Sequence, residues 1–220
     1  MPQQSLAEQV ATFTDGFAAQ IGRELSAVFD EEQAELRTAG VPSGAADVGT
    51  HVPDATLLTP SGASTSLAAE LGGDPGVVVF YRGAWCPYCN LTLRTYQQDL
   101  LPELDARGVR LIAISPQTPE GSELAIANGE LAFAVLSDPG NVLAAALGIV
   151  TAPSPSAREA HTSLGFDVAD SNADDTAQIP FPSVFLVDGE RVVRFADVHV
   201  DYTTRTEVSE ILAAVTRVAG

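Results

Sequence analysis

The stretch Val77-Val78-Val79-Phe80-Tyr81-Arg82-Gly83-Ala84-Trp85-Cys86-Pro87-Tyr88-Cys89 decides how the chain is read. Its first five residues form a continuous β-branched and aromatic run, the mark of a strand buried on both faces. Gly83 to Cys89 reads as a turn into a helix, so both cysteines lie at a helix start. Pro87 suits the first helical turn, where its missing N–H costs nothing. A thiolate is the reactive form of cysteine, and a free thiol with a pKa near ~8.5 is mostly protonated at pH 7. The positive end of a helix dipole and its unpaired N–H groups stabilise the anion. A second cysteine within one helical turn allows a short-range disulfide. Cys86 and Cys89 are therefore candidate catalytic residues for reversible thiol redox chemistry. Arg82 is placed either to hold a thiolate or to form a surface salt bridge. Tyr81 and Trp85 read as packing around the site.

Outward from this stretch, strands alternate with helices, which points to an α/β fold with a central mixed sheet flanked by helices. Val109 to Ser115 and Phe133 to Leu136 read as further strands. Glu120 to Asn128 and Asn141 to Leu147 read as helices. The helix after Cys89 is expected to run to about Ala106, with Pro102 as a kink. Ser183 to Val187 and Arg191 to Phe195 flank Asp188-Gly189, a hairpin signal, and Thr206 to Val218 reads as a closing helix. A small hairpin surrounds Pro60-Ser61-Gly62. Ser154 to Ala173 is polar, mixed and unassigned. At the N-terminus Ser5 and Glu8 form a capping box. Leu6, Val10, Phe13, Phe17, Ile21, Leu25 and Val28 then make one apolar stripe, broken near Gly22 and closed by Gly40 and Pro42. The expected organisation is a helical arm over residues 1–42 and a main domain over residues 48–220. The stripe either packs on its own domain or forms a homodimer contact.

Composition narrows the function classes. The 220 residues carry 11 Lys+Arg and 29 Asp+Glu, a net charge of −18, with no lysine. Such an acidic chain repels phosphate backbones and anionic lipid, which argues against nucleic-acid and membrane partners. No apolar run reaches the ~20 residues of a spanning helix, and Met1 to Val10 has no secretory pattern. A cytoplasmic location is expected, where a cysteine pair is more often catalytic or metal-binding than a structural staple. His51, His161 and His199 fit no zinc-finger spacing with the cysteines, so no metal is expected. No phosphate-binding glycine loop is present, so no cofactor is implied.

The segment Phe80 to Cys89 resembles the active-site segment of the peroxiredoxin-like branch of the alkyl hydroperoxide reductase and thiol-specific antioxidant (AhpC/TSA) family. Leu111 to Pro116, Phe133 to Gly148, Pro182 to Asp188 and the Asp201-Tyr202 pair with Arg205 resemble the same family. The resemblance implies a thioredoxin-like fold and an antioxidant, thiol-dependent oxidoreductase. It implies a disulfide or hydroperoxide substrate and a dithiol reductant. In the family's Pro-x-x-x-Thr-x-x-Cys frame Cys89 takes the peroxidatic position, Arg82 stands at the proline and Cys86 at the threonine. In the thioredoxin frame Cys86 is instead the exposed nucleophile and Cys89 the buried resolving thiol. Pro182 matches the fold's cis-proline, expected cis after Phe181 and beside Cys86. No later active-site arginine is identified near Asp138 to Leu147; Asp201, Tyr202 and Arg205 read as a structural network and His199 as a strand-edge residue. Disulfide reduction is accordingly expected to outpace hydrogen peroxide reduction. A redox sensor or dimeric interaction protein without turnover is the alternative of a different class.

Overall fold

A computed structural model describes residues 4–218. Residues 1–3 and 219–220, the extreme ends of the arm and of the main domain, lie outside the described residues, as does the beginning of the Met1 to Val10 segment. In chain order the helices are α1 (Leu6–Ile21), α2 (Arg23–Ala39), α3 (Leu67–Leu71), α4 (Pro87–Thr95), α5 (Leu101–Asp105), α6 (Pro119–Gly129), α7 (Val142–Ala146), α8 (Pro155–Ser163), α9 (Val168–Ser171) and α10 (Val208–Val218). The strands are β1 (Thr56–Leu58), β2 (Ser64–Ser66), β3 (Gly76–Phe80), β4 (Arg110–Ser115), β5 (Ala134–Ser137), β6 (Val150–Thr151), β7 (Ile179–Pro180), β8 (Ser183–Val187) and β9 (Val193–Val198).

Seven strands form one sheet in the order β2-β1-β5-β4-β3-β8-β9. At its centre β3 runs parallel to β4, with Val79 opposite Ala113, and antiparallel to β8, with Val78 opposite Phe185. All five β3 residues are buried. Their alternation splits the core into two layers. Val77 and Val79 point into a layer shared with α4, α10 and the start of α1, through Leu93, Ile211, Leu6 and Val10. Val78 and Phe80 point into the other, against Leu67, Leu71 and Leu143. Each such side chain contributes ~1.5–3 kcal/mol of transfer free energy when fully buried, so this strand is the fixed floor on which the Cys86–Cys89 turn is built.

The helix after Cys89 is interrupted earlier than the Pro102 kink expected from sequence. Residues Tyr96–Leu100 form one π-helical turn, and Pro102 sits in the first turn of α5, where no N–H is required. The widened turn aims the Tyr96 hydroxyl at the Thr206 carbonyl, which accepts its hydrogen bond at 2.6 Å. The unassigned stretch after Ser154 forms α8 and α9, capped by Ser154 and Asp167. The loop between β8 and β9 spans five residues, 188–192, rather than the three left between the expected strands. Asp188 Oδ1 accepts the Glu190 and Val192 N–H groups across that turn.

The arm divides where the stripe does. Gly22 links α1 to α2 at φ +84°, a left-handed conformation that glycine adopts without a side-chain penalty. The capping box at Ser5 and Glu8 forms with both bonds present. The stripe packs on its own chain. Leu6 and Val10 enter the core, and the Phe13 ring meets Tyr88 edge-on at 5.1 Å. Four polar tethers add to this. Glu207 carboxylate oxygens accept the Leu6 and Ala7 N–H groups at 3.0 and 2.8 Å, and Arg37 pairs with Asp201 at 2.7 Å. Glu32 accepts the Ser154 N–H at 2.7 Å, and Gln33 that of Tyr202 at 2.9 Å.

Candidate active site

The turn that leads β3 into α4 is braced from three sides. Gly83 sits at φ +149°, and a Cβ there would lie 2.4 Å from Trp85 Nε1, so only glycine allows the indole to fold back this closely. The Ala84 N–H donates to Gln117 Oε1 at 2.7 Å, and Asn90 Nδ2 donates to the Ala84 carbonyl at 2.8 Å. Cys86 is the N-cap residue of α4 and Pro87 occupies its first turn. The Cys89 N–H closes that turn on the Cys86 carbonyl at 3.1 Å. Both thiols are free and both are 1% exposed. The structure thus corrects the expectation that Cys86 is an exposed nucleophile.

Cys89 lies under the loop that follows β9. Arg205 Nη2 donates to Cys89 Sγ at 3.3 Å. Arg205 is therefore at the sulfur, and its reading as part of a structural network alone is corrected. The loop is held firmly. Arg205 Nη1 donates to the Tyr202 and Thr204 carbonyls. His199 bridges Asp197 Oδ2 at 3.0 Å and Thr204 Oγ1 at 2.8 Å, and Thr206 donates to Asp197 at 2.9 Å. A cavity of about 10 Å³, room for about one water molecule, is lined by Cys89, Pro182, His199, Arg205 and Thr206.

The two sulfurs differ in electrostatics. Burial alone would raise the Cys89 thiol. Hydrogen bonding from Cys86, the Arg205 guanidinium and the Arg82 backbone N–H outweigh burial and hold Cys89 well below the ordinary thiol range. Cys86 moves the opposite way, pushed up by burial and by its proximity to Cys89. Burial likewise raises Tyr81, whose hydroxyl lies deep near Ser115 and Ser122.

Cys86 faces the other direction, into a chamber of about 400 Å³. Its floor is Arg82, Trp85, Cys86, Pro87 and Tyr88; its roof is α1, α2 and the α8 region, through Phe17, Phe29, His161 and Phe166. Arg82 is buried rather than a surface salt-bridge residue. Its guanidinium carbon lies 4.2 Å from the Tyr202 ring centroid and 4.9 Å from that of Trp85, within cation–π range. Among the described residues it makes no ion pair.

Pro182 lines the small cavity with Cys89 and not the chamber at Cys86. The expected cis bond is absent; every peptide bond among the described residues is trans. The trans form is the lower-energy isomer even before proline. Here the Phe181 N–H is taken by the Ile149 carbonyl at 2.8 Å and the Pro182 carbonyl by the His199 N–H at 2.9 Å. Of the sequence candidates, Cys86, Cys89, Arg82, Trp85 and Pro87 converge, Tyr81 supports from below, and Pro182 joins on the Cys89 side. Sequence reasoning missed Arg205, His161 and Tyr88. Arg205 lies 116 residues beyond Cys89, and only its place after Asp201-Tyr202 in the family-like segment marks it.

Among the described residues no group of side chains is suited to hold a metal ion, and no helix is long and apolar enough to cross a membrane. Residues 48–196 match the model of the AhpC/TSA family. Over 102 residues the chain is 33% identical to the Haemophilus influenzae protein assigned as peroxiredoxin bcp, a match that covers 46% of this chain and 64% of that relative's length. Among solved structures, peroxidoxin BcpB of Mycobacterium tuberculosis superposes with a TM-score of 0.59 at 19% identity, over 78% of this chain and 97% of that one. The bacterioferritin comigratory protein of Xanthomonas campestris gives 0.59 at 22% identity, over 79% and 100%. A peroxiredoxin-like protein from Aquifex aeolicus gives 0.61 at 14% identity, over 79% and 88%. These structures share the fold, with the mixed sheet flanked by helices described above, and the family match covers most of the chain. The chain therefore belongs to the AhpC/TSA family.

Proposed function

We propose that the protein reduces hydroperoxides, with Cys89 as the attacking thiolate and Cys86 as the resolving thiol. One observation carries the reading: Arg205 Nη2 stands 3.3 Å from Cys89 Sγ. A guanidinium there stabilises the thiolate and supplies a donor where charge develops on the peroxide oxygens. Cys89 Sγ attacks one peroxide oxygen, the O–O bond breaks, and the departing alkoxide or hydroxide takes a proton from solvent. The Cys89 sulfenic acid is then attacked by Cys86. The S–S bond forms, and the sulfenic oxygen leaves as water with the Cys86 proton. An external thiol returns the pair to the dithiol. The division into an arm of residues 1–42 and a domain of residues 48–220 fits this reading, since both sulfurs belong to the domain.

The expectation that disulfide reduction is the faster reaction rested partly on the lack of an arginine at the thiolate. Arg205 removes that premise, so peroxide reduction moves to first place. The N-cap position of Cys86 and its opening onto the chamber favour disulfide exchange as a second activity. Stopped-flow oxidation of the reduced protein by hydrogen peroxide, by tert-butyl hydroperoxide and by a small disulfide tests the order. Faster oxidation by either peroxide supports the proposal. A disulfide rate above both peroxide rates overturns it, and no turnover with any of them leaves the sensor alternative.

A further inference from the structure

The chamber is larger than hydrogen peroxide requires, and it opens on the sulfur that does not attack the peroxide. Its floor carries an unusual charge. Arg82 is 5% exposed and packed between two rings; buried Glu32 lines a neighbouring small cavity with it, but Arg82 makes no ion pair within 4.0 Å among the described residues. A buried unpaired guanidinium is costly unless a ligand or solvent satisfies it. His161, Trp85 and Gln33 line the chamber with their ring faces and side-chain flanks, while His161 Nδ1, Trp85 Nε1 and Gln33 Nε2 are buried behind its surface. The single lining carboxylate, Asp30, is exposed to solvent. Aromatic walls around a single lining cation suit an amphipathic anion. A folded protein cannot reach Cys86 Sγ without displacing the arm, because Cys86 is 1% exposed beneath it.

We propose that the chamber binds the reductant, and that this reductant is a low-molecular-weight thiol carrying a carboxylate that pairs with Arg82. The proposal rests on the Cys86–Cys89 disulfide of the preceding section. The bound thiolate attacks Cys86 Sγ, the Cys86–Cys89 bond breaks, and Cys89 leaves as a thiolate beside Arg205. Attack at Cys86 is the favourable direction, since the more stabilised thiolate is the better leaving group. A second molecule of the thiol attacks the mixed disulfide and departs as the symmetric small-molecule disulfide, leaving Cys86 as a thiol. Two small thiols are oxidised for each protein disulfide reduced.

The test uses the full chain oxidised with diamide, so that it does not depend on peroxide chemistry. Reduction is followed by the fluorescence of Trp85, the sole tryptophan, with 4-mercaptobenzoate and its neutral near-isostere 4-mercaptobenzamide, compared per thiolate. The carboxylate is expected to react about tenfold faster, as a charge-assisted contact predicts. Arg82→Gln should abolish the preference and Arg82→Lys should retain part of it. The unreactive 4-(methylthio)benzoate should bind the reduced protein saturably and more weakly in Arg82→Gln, a readout that needs no disulfide. Equal rates for the two thiols, a preference that survives Arg82→Gln, no saturable binding, or faster reduction by a thioredoxin than by 4-mercaptobenzoate would overturn the proposal. A disulfide formed with diamide but not with peroxide would count against the peroxidase reading and leave the thiol preference to decide this one.

Discussion

Cys86 and Cys89 are three residues apart, yet each belongs to a different region of the molecule. Cys89 looks toward a closed niche made by β3, β8 and the loop after β9, with room for about one water molecule. Cys86 looks toward a chamber roofed by helices outside the family-matched residues 48–196, α1 and α2, together with the α8 region. The niche is tight, charged and cross-braced by His199, Asp197 and Thr206. The chamber is wide, aromatic and closed by few polar tethers. The contrast teaches that a thiol's place on a helix does not by itself set its chemistry. Both sulfurs share the N-terminus of α4 and both are buried, but the hydrogen bond from Cys86 and the Arg205 guanidinium lower Cys89, while burial and the neighbouring Cys89 raise Cys86.

The largest expected effect breaks the comparison at its centre. Cys89→Ser should abolish peroxide oxidation, a loss of about 10³-fold or more, because no other group takes the nucleophile's place. Cys86→Ser should keep the first oxidation and stop at the sulfenic acid, seen by mass spectrometry as a single dimedone adduct. The reverse pattern would exchange the roles of the two regions. Arg205→Gln comes next, with a loss of about 10²-fold in the peroxide rate. Its pH profile carries the sign. With Arg205 present the Cys89 thiolate is already formed between pH 6 and 8, so the rate is flat there. Without it the titration moves up and the rate climbs with pH over that range. A flat profile in Arg205→Gln would show that Arg205 does not govern the thiolate.

The niche and the chamber were not equally legible in the sequence. The floor was readable because its rules are local. A run of five β-branched and aromatic residues reads as a buried strand, and Pro87 after Cys86 marks a helix start. The arm's stripe and its break at Gly22 followed from period and glycine. Arg205 was not readable from spacing, because nothing local to the segment after β9 says that its loop folds over α4; the π-turn that carries Tyr96 to Thr206 fixes that approach. The chamber was hidden for another reason. Phe29 and His161 come from α2 and α8, whose meeting is a tertiary event, and α8 lies in a polar stretch without clear periodicity. The trans Phe181–Pro182 bond shows the reverse case, where the family resemblance pointed one way and the backbone partners of residues 181 and 182 hold another.

A smaller effect sharpens the contrast by acid. His161 packs against Phe29, Trp85 and Phe166, with ring centroids 5.3, 5.6 and 4.8 Å away. Burial, then Arg82, lowers its pKa from 6.5 to about 4. Between those values the unfolded chain binds a proton at His161 and the folded chain does not. Stability therefore falls as pH falls through this window. At pH 5 the contribution lost is about 2 kcal/mol relative to pH 7. His161→Phe, which keeps the ring packing, should remove that part of the acid sensitivity. Urea midpoints at pH 7 and pH 5 for both proteins measure it, and identical acid losses in the two would refute the assignment.

The smallest effect concerns how the roof is held. The first turn of α1 has N–H groups without helical partners, and two of them, on Leu6 and Ala7, donate to Glu207 just before α10. The carboxylate both satisfies these donors and meets the positive end of the α1 dipole. Glu207→Ala removes both effects, while Leu6 and Val10 keep their places in the core. The expected cost is therefore local and about 1 kcal/mol. Amide exchange in α1 should quicken about fivefold, with β3 and β4 unchanged, because the sheet makes no use of Glu207. Cys86 alkylation by iodoacetamide should rise by a similar factor and Cys89 alkylation should not, since only Cys86 lies beneath the arm. Equal increases at both cysteines would mean that the arm closes the niche as well as the chamber, and the division between the two regions would fail.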